Sequence, residues 1–578
     1  MTFDPGAPVG NTTLTNFDVL IAGSGAGGGA LAHILTKSGL KVLILEAGAN
    51  WFQGLDSQGS QPVALYSNDE LKLNDRGFID PPTEFQPRTY RHSPADGDRI
   101  PSLTGDVNPL PQTVGGASIH ADLKMPRLMK QDFQMGTLGA GAAFPGTNFA
   151  DWPISYDTLE PFYTYAERVI GVQGLAGANP FEEARSAAFP MPPGVGMYAA
   201  LKLAASASAL GYHPFPYPTA VTSQPYDGRP ACVDCGLCSG YGCPSNAKGS
   251  SAVTTLRKAL LTGNCLLLPQ TRVTRLLLNG AGTAVVGVAA IDPTGKPVSY
   301  SADRYALATS PIEDARLLWL SGSGAPVGNS SGYVGRNLMF HYQNICIGVF
   351  EERIHAYRGR SVSHGLADFR GVPGSATNPL GGVIELSGFT DGPLTNAENM
   401  LEALQLYPVP YDGNRWKALI RQSPFGDRTA AMTMQAEDAP QLTNMVDLDP
   451  AYKDIDGLPV PRVTYLASAF ETSARAFYKP KMAAIMSGAG AKWVFFKSAD
   501  DPSVSAHILG TLRFGNDATQ SVCDATGKFH DLGNLYCADG ALFPTSSGFN
   551  PTMTIITLAM WVGANMVNPA APGQVIAT

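Results

Sequence analysis

The stretch that most constrains this chain is "FDVLIAGSGAGGGALAHILTKSGLKVLILEAG", residues 17 to 48. "FDVLIAG" is a short apolar run of the buried-strand kind. "GALAHILTKSG" has helical spacing and a glycine stop, and "KVLILEAG" is a second strand. Strand, helix and strand in that order make a βαβ unit, which requires a parallel sheet with a right-handed crossover. The turn supplies Gly23, Gly25 and Gly28 in G-x-G-x-x-G order. The first permits the tight turn, the second lets backbone approach a pyrophosphate, and the third lets helix and strand pack closely. The helix N-terminus offers free N–H groups and a positive dipole end to phosphates. Glu46, at the end of the second strand, can accept hydrogen bonds from a ribose diol. A purely structural turn is the alternative, but it leaves the strand, the helix start and the acid unexplained.

The rest of the chain sets bounds on this reading. At 578 residues it is long enough for two or more lobes. Forty basic against 48 acidic side chains give a formal charge of −8, and no dense Lys/Arg run occurs. That argues against a nucleic-acid or anionic-membrane partner. The first apolar run is too short for a signal peptide or a membrane span and lacks a basic or twin-arginine flank, so a cytoplasmic protein is expected. Residues 50 to 110 look like a long ordered excursion, 255 to 310 alternate strands with turns, and 340 to 470 read as a sheet-rich lobe. "TMTIITLAMWVGANMV" near the end is a helix candidate.

Several separated motifs give these parts a common context: "GSGAGGGALAHIL…VLILEAG", "TVGGASIHADLKMPR", "DWPISYDTLEPFYTYAERVIGVQG", "VGRNLMFHY" and "HILGT…CADG…GFNPT". Taken together the chain resembles the glucose–methanol–choline (GMC) flavoprotein oxidoreductases over nearly its whole length, nearest the sugar and gluconate dehydrogenase and pyranose oxidase branch. The resemblance implies an α/β fold, a Rossmann-like FAD-binding domain with an interleaved sheet-rich (α+β) substrate domain. On this chain the FAD-binding domain would take residues 1–150, 226–340 and 501–578, and the substrate domain 151–225 and 341–500. The "LEAG" ending favours FAD over NAD. Gly115, Gly116 and Ser118 match the loop along the flavin, and His120 falls where some relatives attach the flavin covalently and others do not. Val273 resembles the position whose backbone meets adenine, although a plain core valine fits as well. Asp539 and Gly540 match a ribityl- and pyrophosphate-binding element. Pro551 and Thr552 open a helix whose positive end would face the flavin.

By the same resemblance His507 is the active-site base and Asn550 the amide that orients the substrate oxygen. Neutral imidazole suits the task, since its ordinary pKa lies near neutrality. His341 could be structural or catalytic, and His530 reads as a surface residue. The expected reaction is FAD-dependent oxidation of a sugar, glycoside or polyol alcohol to a carbonyl, with electrons passing to oxygen or another acceptor. The alternatives are a dehydrogenase subunit feeding a partner protein, a non-redox lyase, and an electron-transfer subunit. Tyr407, Tyr411 and Trp416 could form a sugar-stacking wall or simply pack. Cys232, Cys235, Cys238 and Cys243 crowd into one stretch with gaps of two, two and four residues. They are open to an iron–sulfur cluster, to zinc, to disulfides or to no metal.

Overall fold

Apolar runs covered on both faces build the central sheet, as a parallel sheet requires. Cys265–Leu268, Val42–Leu45, Phe17–Ala22, Ala302–Leu307 and Leu535–Cys537 lie side by side and parallel, with Val9–Gly10 antiparallel at one edge. This computed structural model describes residues 3–65, 87–97, 103–105, 110–370, 381–387, 427–498 and 505–577. The expected βαβ unit is present, with its helix at Ala26–Lys37. That helix packs on the helix Thr552–Val567 near the end of the chain, and Gly563 permits the close approach: a Cβ there would lie 3.1 Å from Ile34 Cβ. Three remote stretches, around residues 22, 307 and 537, therefore end at the same edge of the sheet. That edge is where open α/β sheets bind ligands.

A second six-stranded sheet is wholly antiparallel. Its order is Phe215–Pro216, Val362–Leu366, Ile384–Ser387, Thr429–Met434, Asn344–Val349 and Trp493–Ser498. The helices Tyr198–Ala209 and Ala469–Gly488 cover one face, burying Leu203, Met432, Met434, Met482 and Ile485 in a separate core. The other face carries Ala431 and Thr433, with Gln435 continuing the alternation, and turns toward the parallel sheet. A third, mixed sheet joins Leu509–Thr511 to Arg336–Met339 and places His507 just before its edge strand. The strands expected between 255 and 310 form the meander Arg272–Leu278, Val285–Ile291 and Pro297–Tyr300. Among the described residues no helix is long and apolar enough to cross a membrane. Tyr407, Tyr411 and Trp416 lie outside the described residues.

Candidate active site

Between the parallel sheet and the inner face of the antiparallel sheet lies a cavity of about 790 Å³. Gly23, Gly25, Glu46, Gly116, Ser118, His120 and Val273 line it, as do His507, Asp539, Gly540, Asn550, Pro551 and Thr552. Gly28 and Gly115 do not line it but stand behind the wall, where they fix its shape. A Cβ on Gly28 would lie 2.0 Å from the Gly23 carbonyl oxygen, and Gly115 has φ +94° with Ile119 Cδ1 2.7 Å from the would-be Cβ. Close helix–strand packing accounts for the first, and a left-handed backbone for the second.

The two glycine loops touch across the cavity: a Cβ on Gly116 would lie 2.8 Å from Gly25 Cα. Gly25 itself has open space, its virtual Cβ meeting only Gly116 Cα at 3.8 Å. The helices starting at Ala26 and Thr552 both lack a side-chain cap and an acid in the first turn. Their first N–H groups and positive ends are left for a ligand. An anionic, flat-ringed dinucleotide such as FAD fits this donor set.

Glu46 and Ser118 do more local work than the sequence suggested. Glu46 Oε2 accepts from Ser24 N at 2.9 Å and Ser24 Oγ at 2.6 Å, while Oε1 accepts from Gly48 N at 2.8 Å. The carboxylate therefore braces the glycine turn. Burial pushes its pKa up, against these hydrogen bonds. Ser118 Oγ donates to the Gly115 carbonyl at 2.5 Å and accepts from Ser251 N at 2.9 Å, so its one proton is used within the loop. Asp539 accepts from Ser310 N and Ala541 N, both at 2.9 Å. Asp314 lies beside it, with a carboxylate oxygen from each and Cys537 Sγ within 4.8 Å of one another. Burial pushes both carboxyls up, Asp314 well above its ordinary value. The charge of Asp539 adds to the push that burial exerts on Asp314.

At the substrate end, His507 Nδ1 lies 2.9 Å from His341 Nδ1, with the rings edge-to-face at 4.8 Å. His341 Nε2 lies 3.2 Å from the Ser546 carbonyl oxygen. A carbonyl only accepts, so the His341 proton sits on Nε2 and its Nδ1 is an acceptor. His507 Nδ1 must then be the donor, which leaves His507 Nε2 unprotonated. Burial lowers the pKa of His341 to about 4. Burial, then His341 and Lys124, hold His507 well below its ordinary value. Both rings are neutral near pH 7. Tyr217 OH donates to Asn550 Oδ1 at 2.8 Å, so the Asn550 amide presents its N–H₂ as the free end. The sequence offered "NLMFHY" as a signal for His341 but nothing for Tyr217, and no local string shows what these residues touch. His530, expected at the surface, is half-buried and its Nε2 lies 2.9 Å from Ser521 Oγ.

The cysteine loop forms part of the cavity wall through Ser239, Gly240 and Tyr241. Lys248 Nζ anchors it by donating to the Cys238 and Tyr241 carbonyls, both at 2.8 Å, and Gly240 N donates to the His120 carbonyl at 2.9 Å. All four cysteines are free thiols. Burial pushes Cys232 up to about 11 and Cys238 to about 12. Among the described residues no three of these four sulfurs gather within 4.8 Å of one another, as the ligands of a single bound metal ion such as zinc would.

Two family models match the chain, both described as GMC oxidoreductase, over residues 205–343 and 440–559. The chain belongs to the GMC oxidoreductase family. As a GMC oxidoreductase it is an enzyme of the class acting on CH–OH groups, built on an FAD-binding α/β fold. Among its relatives is the gluconate 2-dehydrogenase flavoprotein of Pantoea cypripedii, 27% identical over 95% of this chain and 93% of that one. Another is 6'''-hydroxyparomomycin C oxidase of Streptomyces lividus, 29% identical over 93% of this chain and 89% of that one. The crystal structure of pyridoxine 4-oxidase from Mesorbium loti superposes with a TM-score of 0.60 at 16% identity, covering 95% of this chain and 98% of that one. That likeness is one of fold.

Proposed function

We propose that this GMC oxidoreductase oxidises an alcohol of a sugar, glycoside or related polyol to a carbonyl, with His507 as base and FAD as cofactor. The observation that carries the reading is the chain Ser546 carbonyl, His341, His507, which leaves one unprotonated imidazole nitrogen on a residue lining the same cavity as Asn550, whose amide N–H₂ is the free end. FAD would be held by Gly23, Gly25 and Gly116, by the uncapped helix ends at Ala26 and Thr552, and by the Asp539–Gly540 turn. When bound, FAD supplies the hydride acceptor and passes the electron pair on to oxygen or another acceptor.

The remaining work belongs to the chain. Asn550 donates to the carbinol oxygen and fixes it. His507 Nε2 takes the hydroxyl proton, and the imidazolium so formed keeps its Nδ1 proton on His341. The cysteine loop takes no part in this sequence. Anaerobic addition of an alcohol and sugar panel, in the dark, tests the reading. Flavin should bleach in the wild type, while His507→Ala should keep its FAD and reduce it about 10²- to 10⁴-fold more slowly. Flavin that no alcohol bleaches, or a His507→Ala variant with full rate, overturns it.

A further inference from the structure

The antiparallel sheet presents a row of side chains to the cavity that proton abstraction does not use. Register places Glu385 opposite Thr433, and Thr433 opposite Ile345, so the three stand abreast on neighbouring strands. All three line the cavity, with Gln435 two residues beyond Thr433, and Gln343 Nε2 donates to Gln435 Oε1 at 2.9 Å. Across from this row stands Lys124. Its Nζ lies 2.7 Å from Glu385 Oε2 and 3.0 Å from Asp122 Oδ2.

This cluster is built but unfinished. Glu385 is 1% exposed, and its Oε1 has no hydrogen-bond partner; Asp122 Oδ1 has none either. A buried carboxylate oxygen without a donor is costly, and an ion pair present only for stability would avoid that cost. Lys124 is in the opposite condition. Burial opposes its charge, but Glu385 and Asp122 together hold its ammonium well above the ordinary value. It already faces two carboxylates, so it has little to give a third. The cluster also borders the reacting groups: the charge of Lys124 bears on His507, and that of Glu385 on Tyr217, which holds Asn550. Lys248, the other buried cation nearby, is committed to two backbone carbonyls.

We propose that Glu385, held in place by Lys124, recognises a second hydrogen-bond donor on the substrate, so that the enzyme takes polyols and amino sugars and rejects sugar acids. A hydroxyl or an ammonium supplies the proton that Oε1 lacks. A carboxylate brings only acceptors, to an ammonium already engaged and against two like charges. This assignment rests on the alcohol-oxidation reading and narrows its substrate.

The test uses the FAD-loaded protein and matched sugar sets carrying a hydroxyl, an ammonium or a carboxylate at corresponding ring positions. Glucose, glucosamine and glucuronate form the first set. Dissociation constants come from titration calorimetry and limiting rates from anaerobic flavin reduction. Hydroxyl and ammonium members should bind, and carboxylates should bind at least about tenfold more weakly. In Glu385→Gln the ammonium-to-hydroxyl affinity ratio should fall about tenfold, because a charge-assisted bond becomes a neutral one. In Lys124→Met, which bares the two carboxylates, the same ratio should rise. Damage to folding alone would not move one ratio in opposite directions. A wild-type ratio in Glu385→Gln, carboxylates bound as tightly as their hydroxyl partners, or no binding by any set overturns the proposal. Binding in the expected order with no flavin reduction by any alcohol overturns the alcohol-oxidation reading instead.

Discussion

Replacing His341 by alanine tests whether the histidine pair sets the tautomer of the base. The substitution removes the acceptor 2.9 Å from His507 Nδ1 and strips the Ser546 carbonyl of a donor at 3.2 Å. One such bond is worth about 1 kcal/mol net, roughly a fivefold loss of the correctly set ring even if nothing else changes. Where the proton moves to Nε2 the base is lost altogether, and a mis-set tautomer in a comparable relay costs up to about 10⁴-fold. The limiting anaerobic rate of flavin reduction should therefore fall by about 10- to 10³-fold, with FAD retained and KM changed by less than about threefold. Because His341 also helps depress His507, the acid limb of kcat/KM should move to higher pH. His341→Gln, whose amide oxygen can accept from Nδ1, should recover part of the rate. The buried carbonyl left without a donor lowers stability by about 1–3 kcal/mol, so rates are compared well below the melting temperature. A His341→Ala enzyme with wild-type rate and an unmoved acid limb would refute the tautomer argument.

Gly25→Ala should fold with a nearly unchanged melting temperature but bind FAD at least about tenfold more weakly, because its Cβ enters open space beside the loop contact. Gly28→Ala, whose Cβ would sit 2.0 Å from a backbone oxygen, should fail to accumulate as folded protein. Expression, thermal melts and FAD titration separate the two. Tyr217→Phe frees the Asn550 amide to turn and should lower the reduction rate about 2- to 10-fold without loss of FAD, as stopped-flow traces would record. Stability should fall in acid. His341 and His33 are lowered from 6.5 to about 4 by burial, so the unfolded chain binds their protons first. Their stabilising contribution is complete above about pH 6.5 and is lost as pH drops toward 4, roughly 3 kcal/mol for each at most. Urea unfolding followed from about pH 7 down to about pH 4 measures it, and a flat profile would contradict the burial of these rings.

What the sequence made legible was local. Glycine spacing, an apolar strand and a helix start all lie within a few residues, so the turn at 23–28 and the helix opening at Thr552 could be read directly. His507 and Asn550 could be placed because each sits inside a recognisable string. Glu46 and Ser118 were legible as positions but not as partners, since Ser24, Gly115 and Ser251 compete for their oxygens in ways that depend on how two loops dock. The contacts that decide the chemistry are long-range. His341 and His507 are 166 residues apart, Lys124 and Glu385 are 261, and Tyr217 and Asn550 are 333. No periodicity reports such pairs; they exist only once sheet register and the docking of the two lobes are fixed.

The histidine pair also explains why catalysis and acid sensitivity should be linked here. A carboxylate at position 341 would hold the His507 Nδ1 proton too, but its charge would raise the basicity of the ring and favour an imidazolium before substrate arrives. A neutral imidazole acceptor orients the proton without supplying that charge. With burial added, His507 remains a free base well below the pH at which an ordinary histidine would protonate. The cost falls on folding, because the same buried, neutral rings must be kept from protons that the unfolded chain accepts readily. An active site whose base stays available in acid should therefore lose its fold before it loses its base. In the wild type, the fall in rate on acidification should track the fall in stability rather than a titration of His507 alone.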